Sequence, residues 1–142
     1  MLTAVLVYVL TVLAAVVVVL TRKRLRSGSR ESCALQLAGA VVTTHTIAGG
    51  LALVSWTTFL LVPESVGENA VTLIGLFALI CWWVTVLAGL LILLRWLPGK
   101  GRHAGPGAAD SWSQGPALSV LAHVGLLVGV VVFTYAYLVS AV

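Results

Sequence analysis

Apolar positions along the chain gather into four long runs, with short polar stretches between them. The runs extend from Leu2 to Leu20, from Ala34 to Val62, from Ala70 to Leu94 and from Ala117 to Val142, and none contains an Asp, Glu, Lys or Arg. Each reaches the roughly 20 apolar residues needed to cross a ~30 Å hydrocarbon core at ~1.5 Å per residue. A backbone in lipid must satisfy its own hydrogen bonds, so such runs predict helices. They do not alternate apolar and polar residues as strands of a barrel would. The pattern therefore predicts an all-α, integral membrane four-helix bundle as a single transmembrane domain over residues 1–142.

Composition agrees with that class. Apolar residues make up 61% of the chain and charged residues 8%, against about a quarter charged in an ordinary soluble domain. A cleaved signal peptide would carry its bases before a short apolar core. Here Arg22, Lys23, Arg24 and Arg26 follow the first run, so that run reads as a retained helix.

Charge then orients the bundle. Every Lys and Arg falls between Arg22 and Arg30 or between Arg95 and Arg102, whereas the segment between the second and third runs carries Glu64 and Glu68 and no base. The positive-inside rule puts both basic segments in the cytoplasm and both termini outside, an N-out/C-out arrangement. The net charge of +4 is that of a basic face beside anionic lipid, and it calls for no nucleic acid. Residues 97–116 are rich in Gly and Pro, a composition that reads as a mobile cytoplasmic loop. An Arg-over-Lys and Val-over-Ile bias points to a GC-rich genome and a bacterial plasma membrane.

Chemistry is sparse. Cys33 and Cys81 form no Cys-x-x-Cys pair and differ in expected depth, so they read as small apolar residues. No nucleophile–base pair, metal-ligand cluster or phosphate loop supports an enzyme. The chain is similar in size and helix number to small multidrug-resistance exporters, whose proton coupling needs a carboxylate in the first helix. The first run here has none, and that family is set aside.

Two histidines remain inside the runs, His45 and His123. Their helices are parallel, with His45 17 residues before Val62 and His123 19 before Val142. At ~1.5 Å per residue both lie roughly 26–28 Å from the outer ends, in the cytoplasmic half. Ala38, Gly49 and Ala52 on the His45 face leave room for a flat macrocycle, with Trp56 further out. Ser119, Leu127, Val130 and Thr134 share the face of His123. In these two histidines alone the arrangement resembles one half of a cytochrome b561-type bundle. The resemblance implies haem b, with His45 and His123 as axial ligands of an electron carrier. The other account of the pair is structural: a membrane histidine bonded to a carbonyl, to water or to a threonine, of which Thr43, Thr44 and Thr46 stand adjacent.

Gly125 and Gly129 form a G-x-x-x-G pair on the fourth helix, a spacing that lets helices approach closely. Trp82 and Trp83 lie mid-helix, deeper than an aromatic belt. These four residues are candidates for contact with other membrane subunits or with a second copy. The leading expectation is an accessory or assembly subunit of a larger membrane complex, without a catalytic site of its own and with no cofactor required. The haem b cytochrome is the alternative.

Overall fold

The computed structural model describes residues 1–27, 36–62, 66–100 and 116–142. Four helices account for them: α1 (Leu2–Ser27), α2 (Gln36–Leu61), α3 (Glu68–Lys100) and α4 (Pro116–Leu138). Each contains a stretch long and apolar enough to cross a membrane, and no strand occurs among the described residues. Large apolar side chains line the outside, among them Val5, Val9 and Val12 on α1, Leu76, Ile80 and Leu87 on α3, and Leu121, Val128 and Val131 on α4. Water would not tolerate such a surface; lipid requires it.

Three helix ends depart clearly from the apolar runs. α1 continues past Leu20 to Ser27. α3 continues past Leu94 to Lys100, so residues 97–100 of the expected mobile loop are helical. Residues 101–115 of that loop, and Cys33 and Glu64, lie outside the described residues. α4 stops at Leu138 although the run continues to Val142. The stop is a Schellman motif: Ser140 adopts a left-handed φ of 49°, its N–H donates to the Tyr137 carbonyl at 3.1 Å, and the Ala141 N–H donates to Ala136 at 2.9 Å. Those two bonds satisfy carbonyls that the helix end would otherwise leave open.

The helices surround one core, in the cyclic order α1, α2, α3, α4. α2 lies against α3 most extensively, and no Cα atoms approach within 8 Å across either diagonal, α1 to α3 or α2 to α4. Small buried residues explain the tight pair: Ala48, Gly49 and Ala52 on α2 face Ala78, Cys81, Thr85 and Ala88 on α3. A Cβ at Gly49 would come within 3.3 Å of the Thr85 methyl, so glycine sets that approach. Close van der Waals packing of this kind is what joins helices where lipid tails remove the hydrophobic driving force.

Side chains alone cross the α2–α4 diagonal. Trp56 and Phe133, both buried, stack there with ring centroids 4.9 Å apart. Trp82 of α3 joins them 5.7 Å from Phe133. Two indoles also tie neighbouring helices. The Trp56 N–H donates to the Thr11 hydroxyl of α1 and the Trp83 N–H to the Thr134 hydroxyl of α4, each at 3.2 Å. Each threonine in turn donates to its own helix, to Val7 and Val130. Neither of these two threonines leaves its hydroxyl proton facing lipid. Thr46, Ser55, Thr57 and Thr58 use the same device four residues back along α2.

Candidate histidine site

At the basic end of the bundle, His45 from α2 and His123 from α4 reach across the diagonal and meet. Their ring centroids are 6.0 Å apart, with an angle of 26° between the planes. Both residues are half-buried. α3 supplies the floor on which they rest, and it does so at Gly89. A Cβ there would lie 2.8 Å from His123 Cδ2, 3.1 Å from His123 Nε2 and 3.0 Å from His45 Cε1. No ordinary side chain fits under the pair.

His45 is held more specifically. Its Nδ1 lies 2.9 Å from the Thr85 carbonyl oxygen of α3. A carbonyl only accepts, so this contact fixes a proton on Nδ1 and leaves Nε2 of a neutral ring with a free lone pair. The partner is therefore the neighbouring helix and not the adjacent threonines; Thr46 donates to Val42 instead. Thr85 makes three separate contacts. Its carbonyl takes His45, its hydroxyl donates to Cys81 at 2.8 Å, and its methyl faces Gly49.

The buried face of α1 is formed by Val7 and Thr11, backed by Leu10 and Ala14, whereas residues 16–19 are all exposed.

The other sequence candidates lie elsewhere. Trp82 is buried in the core, 2% exposed, and its N–H has no acceptor among the described residues. Trp83 is half-buried against Thr134. Both tryptophans are committed to contacts within the chain. Gly125 and Gly129 are different: Gly125 is exposed and Gly129 buried, and a Cβ at either would meet no atom within 4 Å among the described residues. Cys81 is buried as a free thiol, and no group of three or more His, Cys, Asp or Glu converges among the described residues.

A second tier of rings matches the histidine tier. Phe59 of α2 and Tyr137 of α4 lie with centroids 5.6 Å apart, and both press on α3 at Gly75, where a Cβ would come within 2.6 Å of Tyr137 and 2.9 Å of Phe59. The Tyr137 hydroxyl donates to the Thr72 carbonyl of α3 at 2.8 Å. The two tiers are 14 residues apart on every helix involved: 45 and 59, 75 and 89, 123 and 137. Two heptads separate them, ~21 Å along a helix.

Gly89, the Thr85 carbonyl and the Gly75 tier were not singled out in the sequence. A signal for them was nevertheless present, in the equal 14-residue spacings on three helices.

Comparison of the chain with protein-family models, with curated proteins and with solved structures gives no match.

Proposed function

We propose that this chain is an accessory subunit of a larger membrane complex, to which it contributes one b-type haem held by His45 and His123. The observation that carries the reading is the geometry of the pair. The two imidazoles meet as a stacked pair with ring centroids 6.0 Å apart and 26° between their planes, so that both would be within reach of one haem iron.

Three further features fit a haem. The donors are two neutral-type imidazoles with no carboxylate or thiolate beside them among the described residues, a set suited to haem iron. His45 has one feature usual for a ligating histidine, a ring nitrogen bonded to a backbone carbonyl. Gly89 keeps a side chain of α3 out of the site. A haem with two imidazole ligands supplies reversible one-electron transfer. The chain's own part is to orient the ligand nitrogens and to surround them with apolar helices.

The subunit role follows from the count of sites. The second tier carries a phenyl and a phenol ring, neither of which offers a ligating nitrogen. One carrier at one end of the bundle needs a donor and an acceptor outside it. The exposed Gly125, with Gly129 one turn on and no atom within 4 Å of a Cβ at either, offers α4 a place where a partner helix can pack closely.

Purification in mild detergent after expression with ample haem tests both parts. One haem per chain is expected, together with copurifying membrane protein or self-association. Gly125→Leu and Gly129→Leu are expected to weaken association and leave the haem content unchanged. A colourless protein ends the haem reading, and a monomer indifferent to Gly129→Leu ends the subunit reading.

A further inference from the structure

We infer that Gly89 is the positioning residue of the histidine site: by lacking a side chain it opens the Thr85 carbonyl to His45, and so selects Nε2 as the ligating nitrogen. The significance for a cofactor rests on the haem reading above; the effect on His45 does not.

The argument begins with helix geometry. Side chains on an α-helix tilt towards its N-terminus, so a residue covers the turn preceding it. The residue four positions after Thr85 is residue 89, and any side chain there lies over the Thr85 carbonyl. Glycine leaves that oxygen bare. The oxygen can then accept a proton from His45 Nδ1 at 2.9 Å while still facing its own helix. The same vacancy seats both rings, since a Cβ at position 89 would be 2.8 Å from His123 and 3.0 Å from His45.

Without the carbonyl, an imidazole in an apolar bundle is free to carry its proton on either nitrogen. A proton on Nε2 removes the lone pair that would face across the diagonal. The bond to Thr85 prevents this, because an acceptor at Nδ1 is satisfied only by an Nδ1 proton. The acceptor is a main-chain atom, so no substitution at Thr85 removes it. Position 89 is a side-chain position through which access to it is controlled, since a Cβ there would press on both rings.

The other tier is related but not identical. The Thr72 carbonyl, three residues before Gly75, accepts the Tyr137 hydroxyl, and Gly75 accommodates the two rings. A ring-seating glycine on α3 with a hydrogen-bonded carbonyl in the preceding turn thus occurs twice.

The test uses the full chain in detergent with histidine-labelled nitrogen NMR, first in haem-free protein and then after haem is supplied. In the wild type His45 is expected to show a protonated, hydrogen-bonded Nδ1 and an unprotonated Nε2. Gly89→Ala is expected to abolish that signature and to weaken haem retention about 10–100-fold, the usual range for loss of a ligand's supporting hydrogen bond. Gly50→Ala, where a Cβ meets nothing within 4 Å, is the control and should change neither. A wild-type His45 protonated on Nε2 overturns the inference, and this reading needs no variant to fold. A Gly89→Ala protein that keeps both the Nδ1 proton and full haem retention overturns it as well. A colourless wild type whose Nδ1 signature disappears in Gly89→Ala defeats the haem reading and upholds the role of Gly89. Should Gly89→Ala destabilise the bundle, a double-mutant cycle with His45→Ala decides whether the contact is direct: the cost of the alanine should fall when the imidazole is gone.

Discussion

Phe59 and Tyr137 meet over Gly75 in the same way that His45 and His123 meet over Gly89, 14 residues along each of three helices. Both tiers take one ring from α2 and one from α4. Both rest on an α3 glycine that no side chain could replace without displacing the rings. Both send one hydrogen bond to an α3 carbonyl, from Tyr137 to Thr72 and from His45 to Thr85. The scaffold is common, so the difference between the tiers is the ring chemistry. Phenyl and phenol rings fill the diagonal of the bundle and offer no ligating nitrogen there. Imidazoles fill it at similar spacing, 6.0 Å against 5.6 Å, and add two nitrogens able to ligate. Filling the diagonal needs no histidine, as the Phe59 tier demonstrates. Histidine in a lipid-facing bundle is costly unless its polar atoms are used, and that cost is what points to a function at one tier and not the other.

The sharpest way to break this comparison is to convert one tier into the other. If the scaffold is common, the double replacement Phe59→His and Tyr137→His should create a second bis-imidazole site. Haem content per chain is then expected to rise from one to two. Unchanged content in a stably inserted variant would mean that the tiers differ in more than ring chemistry. Gly75→Val comes next in size. Its Cβ would lie within 2.9 Å of both rings of its tier, and overpacking of this kind costs about 1–3 kcal/mol. Unfolding in detergent should register that loss, and the visible spectrum should not change, because the histidine tier is ~21 Å away along the helix. Tyr137→Phe is the mildest. It removes only the bond to Thr72, for which interhelical bonds in membranes suggest roughly 0.6 kcal/mol. A loss several times larger would indicate that the phenol does more than close its tier.

The parts legible in the sequence were those carried by single helices. Four apolar runs gave four helices, and counting depth along two of them brought His45 and His123 to one level. What escaped was set by the register between helices. Gly89 looks like any glycine in an apolar run until α3 is laid antiparallel to α2 and α4, with its position 89 beside positions 45 and 123. The partners of Trp82 and Trp83 were hidden for the same reason. Thr134 becomes the acceptor for Trp83 only across the α3–α4 contact, and Phe133 meets Trp82 only in the packed core. The hydrogen bond of His45 was the least readable of all, since its acceptor is a main-chain carbonyl, which every residue possesses. The end of α4 depended on a left-handed serine, Ser140, a conformation more often supplied by glycine.

The most direct measurement is the dithionite-reduced absorption spectrum of the purified wild type, taken beside His45→Ala and His123→Ala at equal protein concentration. A sharp α-band of low-spin haem with two histidine ligands is expected in the wild type and in neither variant. A wild type without the band, or a variant that retains it unchanged, would contradict the assignment of His45 and His123 as two ligands of one iron.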